Sequence, residues 1–117
     1  MTTCLSRRRL AFLIAALGLA LSSLSLGAAK EADKPVTHTV TIDATNYEPP
    51  FIVVKPGDSI VWTNNDMFRH TVTAKAGGFD SKDIPAGGSW KYTPKTVGRF
   101  EYSCIYHTTM KGLIIVK

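Results

Sequence analysis

Near the carboxyl end of the chain, three side chains that bind soft metals follow one another at short and equal spacing. Cys104, His107 and Met110 are separated by two residues each. A thiolate is a soft ligand suited to Cu(I), an imidazole suits copper, and a thioether makes a long, weak axial contact. The spacing therefore predicts a copper site on the connection between two strands.

A trigonal copper site of this kind needs a second imidazole from another part of the chain. His70 begins a predicted strand on its inward face, and Cys104 ends a predicted strand on its inward face. The two side chains can therefore meet at one end of a two-sheet sandwich. We predict one copper ion, cycling between Cu(I) and Cu(II), with the metal ligands His70, Cys104, His107 and Met110.

Each of these residues has an ordinary structural interpretation when it is taken alone. A free cysteine such as Cys104 often packs as a small buried hydrophobic residue, and Met110 is a typical filler at a core edge. His70 could be a half-buried strand residue with a hydrogen-bonded ring. The order, spacing and shared face of the four residues favour metal binding over these separate interpretations.

Residues 1–29 have the pattern of a cleavable signal peptide. Three arginines at positions 7–9 precede an apolar stretch from Leu10 to Leu26, and small residues follow at 27–29. A membrane anchor is the alternative, but the apolar stretch is short for one. Export by the Sec route and by the twin-arginine route are both open. We expect residues 30–36 to form a flexible tail and residues 37–117 to form one small domain.

Removal of the signal changes both the charge and the cysteine count. The whole chain carries 14 Lys and Arg against 9 Asp and Glu, and the loss of three signal arginines lowers its net charge from +5 to +2. No basic run with interleaved aromatic residues remains, so we expect no nucleic acid partner and no stable membrane association. Cys4 leaves with the signal, so Cys104 is the one thiol kept where thiols usually oxidise.

Short segments of alternating polar and hydrophobic residues begin at residue 37, with turn signals about every ten residues. No segment has an apolar stripe at helical period over three turns. The pattern predicts an all-β fold, a β-sandwich of seven to eight strands. The predicted strands are Thr37–Ile42, Phe51–Val54, Ser59–Thr63, His70–Ala74, Ser89–Tyr92, Arg99–Cys104 and Gly112–Val116.

Two predictions concern local geometry. Pro56 and Gly57 suit the central positions of a type II turn, so we expect Phe51–Val54 and Ser59–Thr63 to form a β-hairpin. His38 falls on the inward face of the first strand. We interpret His38 as a structural or partly exposed residue rather than a metal ligand.

From about Thr37 to Lys117, the chain resembles the cupredoxins, the type 1 blue copper proteins. Its ligand loop is most similar to that of the amicyanin and plastocyanin-like group. The resemblance implies an eight-stranded Greek-key sandwich, a periplasmic location and the shuttling of single electrons without enzymatic activity. It also implies that the upstream ligand is His70, the thiolate Cys104, the exposed ligand His107 and the axial ligand Met110.

Two features depart from the family pattern. Many cupredoxins have Asn directly after the upstream His, where it ties the two ligand segments together, and this chain has Thr71. Alternation places Thr71 on the outer face of its strand, and its hydroxyl is a candidate for a bond near Ser103 or Cys104. The ligand loop also lacks the proline usual in amicyanin-like loops, so we expect it to be less stiff.

The resemblance implies that the partners are redox proteins, such as a dehydrogenase and a c-type cytochrome, which dock near His107. We expect the protein to be a monomer. Met67 and Phe68 precede His70, and Tyr106 precedes His107. These three residues are candidates for an apolar docking surface around the exposed ligand, with core packing of Phe68 as the alternative.

Two other functions stay open. A copper carrier or buffer would use similar ligands, although such proteins usually offer exposed, exchangeable clusters. A β-sandwich that only binds other proteins would hold no metal. Catalytic copper is disfavoured, because the three histidines of the chain cannot supply additional type 2 or trinuclear centres.

Overall fold

The computed structural model describes Gly18 and residues 34–117. Apart from Gly18, the predicted signal at 1–29 lies outside the described residues, as do residues 30–33 of the predicted tail. In the described part of the chain, no helix is long and apolar enough to cross a membrane. The strands of that part are β1 (Thr37–Asp43), β2 (Asn46–Glu48), β3 (Phe51–Val54), β4 (Ser59–Asn64), β5 (Thr73–Ala74), β6 (Phe79–Asp80), β7 (Ser89–Tyr92), β8 (Gly98–Ser103) and β9 (Lys111–Val116).

The strands form two sheets, with the orders β2-β1-β4-β7 and β3-β9-β8-β5-β6. β1 pairs with β4, and β3 with β9, in parallel, whereas the other neighbours are antiparallel. The prediction of an all-β sandwich is confirmed. The strands outnumber the predicted seven to eight because β2 and β6 contain only three and two residues, too few to show a clear alternation.

The core is built from large apolar side chains that alternate along the strands. Val40 and Ile42 of β1 are fully buried, as are Ile60 and Trp62 of β4 and Ile114 of β9. Each such side chain contributes about 1.5–3 kcal/mol on burial. If either β1 or β4 slipped by one residue in their pairing, its buried side chains would turn to the other face of the sheet, so the apolar pattern fixes the register of these two strands.

The hairpin predicted for Phe51–Val54 and Ser59–Thr63 is wrong. The turn itself is present, because the Asp58 N–H donates to the Lys55 carbonyl over 3.0 Å and Gly57 has a φ of +93°. However, β3 pairs with β9 in one sheet, and β4 pairs with β1 and β7 in the other. Turn residues fix a local reversal of the chain, whereas burial over the whole domain decides the partner of each strand.

Asp58 links the turn between β3 and β4 to the chain just before β1. Its buried carboxylate accepts hydrogen bonds from the N–H groups of Val36, over 2.9 Å, and Lys55, over 3.0 Å. It also contacts Nε2 of His38 at 3.0 Å. These partners, the backbone donors above all, lower the pKa of Asp58 to about 2. His38 is therefore a structural residue, and its side chain is 28% exposed.

The segment predicted as the strand His70–Ala74 is mostly irregular. Only its last two residues form β5, and His70 makes a single bridge to Ile84. Thr71 is fully buried, so its predicted place on an outer face is wrong. The segment connects β4 in one sheet to β5 in the other, and the ligand loop between β8 and β9 covers it.

The antiparallel pair of β8 and β9 holds the ligand loop, residues 104–110, at one end of the sandwich. Tyr102 of β8 lies opposite Gly112 of β9. A Cβ atom at Gly112 would lie 2.1 Å from Cζ of Tyr102, so any other residue there would displace the ring. With the glycine in place, the Tyr102 hydroxyl accepts a hydrogen bond from Nε1 of Trp62 over 3.2 Å.

Candidate metal centre

The structure brings together three of the four predicted ligands. Sγ of Cys104 lies 3.8 Å from Nδ1 of His70 and 3.9 Å from Nδ1 of His107. The three donor atoms all lie within 4.8 Å of one another. His70 and Cys104 are buried and His107 is half-buried, so the cluster is closed on the core side and reaches the surface through one imidazole.

The spacing of these donors suits a single metal ion. An ion about 2.1 Å from nitrogen and 2.3 Å from sulfur, with about 120° between the bonds, separates those two donors by about 3.8 Å. The two measured sulfur to nitrogen distances, 3.8 and 3.9 Å, match this value. Two imidazoles and one thiolate in a trigonal set are the donors of blue copper sites. The donor chemistry and the geometry therefore fit the predicted copper.

His70 is oriented by a carboxylate that the sequence analysis missed. Oδ2 of Asp66 lies 2.9 Å from Nε2 of His70, and the backbone of His70 pairs with Ile84 in both directions. The hydrogen bond from His70 holds the pKa of Asp66 below its usual range. Asp66 is therefore ionised at neutral pH, so Nε2 carries the proton and Nδ1 is left free as a ligand atom toward Cys104.

Asp66 is held in turn by its own loop. Its Oδ2 accepts a hydrogen bond from the Thr45 N–H over 3.0 Å, and its N–H donates to Oδ1 of Asn64 over 2.9 Å. Nδ2 of the buried Asn64 donates to the carbonyls of Phe68 and Ile84. The available sequence signal was a cluster of turn-forming polar residues, Asn64 to Asp66, directly after a strand and four residues before a histidine.

Thr71 ties the two ligand-bearing segments together. Its N–H donates to Sγ of Cys104 over 3.3 Å, and its hydroxyl oxygen accepts from the Ile105 N–H over 3.0 Å. The expected bond near Cys104 is therefore present. Because Thr71 follows His70 directly, these two bonds fix the distance between His70 and Cys104 without the asparagine common in the family.

Met110, the fourth predicted ligand, closes the ligand loop. Its carbonyl accepts from the Cys104 N–H over 3.2 Å, and its N–H donates to the His107 carbonyl over 2.9 Å. The side chain is 2% exposed, which is unusual for a residue on a short connection and places the thioether in the interior. The role of Met110 as the axial ligand stays a prediction.

Four exposed apolar residues, here called the apolar rim, lie in the two chain segments that carry the histidine ligands. Its members are Met67, 77% exposed, Phe68, 59%, Ile105, 55%, and Tyr106, 42%. Core packing of Phe68 is therefore excluded. A cleft of about 300 Å³ lies between Phe68, Arg69, Tyr106 and His107.

Arg69 and Asp83 brace this rim from one side. Cζ of Arg69 lies 4.7 Å from the centre of the Tyr106 ring, and the Tyr106 hydroxyl donates to Oδ1 of Asp83. That hydrogen bond raises the pKa of Tyr106, since the acceptor is a carboxylate. Tyr106 is thus held beside His107 with its polar end turned to charged neighbours.

A two-sheet sandwich with a cysteine and two histidines gathered at one end defines a cupredoxin-like protein. A family model described as a cupredoxin-like domain matches residues 10–116, and the chain belongs to this family. The chain is 30% identical to amicyanin-alpha of Methylorubrum extorquens, over 84% of this chain and 86% of that protein. It is 31% identical to the chloroplastic plastocyanin of Tetradesmus obliquus, over 87% of this chain and 79% of that protein.

The solved structures lead to the same group. The Cu(I) form of an amicyanin mutant superimposes with a TM-score of 0.66 and 27% identity, covering 78% of this chain and 90% of that one. The predicted resemblance to the amicyanin and plastocyanin-like group is confirmed.

Proposed function

We propose that this protein is a type 1 copper protein that carries single electrons between other proteins. In this proposal one copper ion is held by His70, Cys104, His107 and Met110. The observation that carries the proposal is the meeting of one sulfur and two nitrogen donors at 3.8 and 3.9 Å, with one imidazole at the surface.

Copper would supply a centre that gains or loses one electron, between Cu(I) and Cu(II). The residues around it serve to keep the donor atoms still. Asp66 holds the His70 ring, and Thr71 fixes the separation of His70 and Cys104. Small movement of the donors favours fast electron exchange, because little reorganisation accompanies each transfer.

His107 is the proposed exit for electrons to redox partners. Its imidazole reaches the surface within the apolar rim of Met67, Phe68, Ile105 and Tyr106. An exposed apolar patch is the usual mark of a protein interaction site. A dehydrogenase as donor and a c-type cytochrome as acceptor fit this role, and both would dock here on a monomer.

The protein is proposed to act in the periplasm after removal of residues 1–29. The basic, apolar and small-residue order of that segment supports export. The lone thiol of the mature chain, Cys104, would be protected from oxidation there by burial and by the metal.

Burial of the ligands favours an electron carrier over a copper carrier or buffer. His70 and Cys104 are 0% and 1% exposed and both take part in hydrogen bonds with neighbouring segments. A protein that hands over its metal needs ligands that a receiving protein can reach. Fast electron self-exchange combined with slow loss of copper to a chelator would support the electron carrier, and the reverse result would support the buffer.

The deciding experiment uses the exported, processed protein with one equivalent of Cu(II). We expect an intense visible band from thiolate to copper charge transfer and the electron paramagnetic resonance signal of a trigonal site. Cys104→Ser should abolish the band, while Ser103→Ala, at the neighbouring position, should keep it. A pale protein with the spectrum of tetragonal copper would refute the proposal.

A further inference from the structure

A connected series of aromatic rings runs through the core to β7, and no ligand role explains it. On the basis of the proposed function, we propose that these rings form a second electron path between Cys104 and the exposed face of β7. The series, here called the aromatic relay, consists of Tyr47, Tyr102, Trp62, Trp90 and Tyr92.

The inner end of the aromatic relay is bonded to the thiolate through one residue. The Thr71 N–H donates to Sγ of Cys104 over 3.3 Å, and the carbonyl of Thr71 accepts from the Tyr47 hydroxyl. Tyr47 is 2% exposed, so this connection lies inside the core. Two hydrogen bonds and the backbone of one residue, Thr71, therefore join the sulfur to the first ring.

The middle of the aromatic relay is continuous. The ring centres of Tyr47 and Tyr102 are 4.7 Å apart, and those of Tyr102 and Trp62 are 5.5 Å apart. Nε1 of Trp62 also donates to the Tyr102 hydroxyl. These separations fall within the range of directly contacting aromatic pairs. Electronic coupling falls steeply across empty space, so touching rings and hydrogen bonds conduct better than the gaps around them.

The outer end of the aromatic relay reaches the surface on β7. The ring centres of Trp62 and Trp90 are 5.5 Å apart, and those of Trp90 and Tyr92 are 5.7 Å apart. The rings of Trp90 and Tyr92 are nearly parallel, with an angle of 5° between their planes. Trp90 and Tyr92 are half-buried, and Lys91 between them is exposed. β7 is an edge strand of its sheet. This exit shares no residue with the apolar rim around His107.

The transfer balances as a single electron. The reduced site loses one electron, a one-electron oxidant at β7 gains it, and no bond forms or breaks. The class of oxidant that fits is a metal complex bound at the surface, such as photogenerated Ru(III).

The test places such an oxidant at either of two sites. A ruthenium polypyridyl complex is attached through the introduced imidazole of either Lys91→His on β7 or Val53→His on β3. Val53 is 40% exposed, and β3 lies in the other sheet. A laser flash with a quencher generates Ru(III), and the return of the blue band measures oxidation of the reduced copper protein. Trp62→Phe and Trp90→Leu should each slow this oxidation about tenfold from position 91, and neither should change it from position 53.

The metal-free protein gives a second readout that does not need copper. With the label at position 91, the flash should produce the transient absorption of an indole radical, and Trp90→Leu should remove most of it. With the label at position 53, no indole radical should form on the same timescale. Urea unfolding of each variant shows that the fold is kept.

The outcomes separate the two proposals. The proposal of the aromatic relay alone would be overturned by either of two results. One is an oxidation rate from position 91 that neither tryptophan substitution changes, and the other is a metal-free protein in which the flash produces no indole radical. A Cu(II)-loaded protein that shows no blue band before it is reduced would overturn the proposed function, and the radical measurement on the metal-free protein would still decide whether the rings conduct.

Discussion

Asp66 accepts a hydrogen bond from Nε2 of His70 over 2.9 Å, and this contact turns the other ring nitrogen toward Cys104. The arrangement of carboxylate, imidazole and metal site fixes the tautomer of the ring and raises its basicity as a ligand. A residue outside the ligand set therefore decides which atom of His70 is offered to the metal.

Removal of this carboxylate should weaken copper binding. For Asp66→Ala we expect a loss of about 10–100-fold in affinity, the usual cost of deleting such a partner. Competition with a chelator of known affinity measures it. Asp43→Ala, which removes an exposed aspartate at the end of β1, is the control and should bind as the wild type does. An unchanged affinity in Asp66→Ala would show that packing alone orients His70.

The hydroxyl of Thr71 should contribute to stability even without metal. Thr71→Val keeps the shape of the side chain but leaves the Ile105 N–H without its acceptor, and we expect a loss of about 1–3 kcal/mol in the free energy of unfolding. Thr71→Ser keeps the hydroxyl and should recover most of that loss. Urea unfolding of the metal-free protein measures both, and equal stability of the Val and Ser variants would contradict the prediction.

Asp58 should make the stability depend on acid pH. Its folded-state pKa of about 2 is below the unfolded value of 3.8, so the contribution is fully present above the unfolded pKa. It is lost as the pH falls through the folded pKa.

We therefore expect Asp58→Asn to cost about 2 kcal/mol at pH 7 and progressively less as the pH approaches 2. The measurement is urea unfolding of the metal-free protein at a series of pH values, with Asp43→Asn as the control. A cost that stays constant down to the acid end of the series would show that the charge of Asp58 does not matter.

A charge within the apolar rim should slow electron exchange between two copies of the protein. Phe68→Asp would place two like charges face to face when the rims around His107 meet, and we expect the self-exchange rate to fall about tenfold or more. Nuclear magnetic resonance line widths of mixed Cu(I) and Cu(II) samples measure that rate. Val97→Asp introduces the same charge at a site that is 65% exposed, directly before β8 and away from the ligand loop.

An equal effect of Phe68→Asp and Val97→Asp would indicate that net charge, rather than the rim, controls the encounter. High salt should then restore both variants alike, since screening weakens interactions between exposed charges.

The two strands that hold the ligand loop, β8 and β9, were predictable because their signals are local. Alternation over Arg99–Cys104 gave the inward face of β8, and Tyr102 and Cys104 are both buried there. The pairing of Phe51–Val54 was not predictable in the same way. Its turn follows from Pro56 and Gly57, but its partner β9 lies about 60 residues further along the chain.

Asp66 and Thr71 show that the same limit applies within the site: local sequence signals predicted the ligands but not the residues that hold them. Neither belongs to the ligand spacing, and both act through hydrogen bonds to atoms brought near by folding. Alternation even placed Thr71 on the wrong face, because the segment after His70 is an irregular connection between two sheets rather than a strand.

The sequence by itself determined the donor chemistry, because the spacing of Cys104, His107 and Met110 on one short loop restricts the metals that the loop suits. It also determined the all-β class, since alternation is a local property. Only the tertiary structure decided which imidazole nitrogens face Cys104, which neighbours hold them, and which aromatic rings touch. Those relationships join residues far apart in the chain, and burial and hydrogen bonding over the whole sandwich set them.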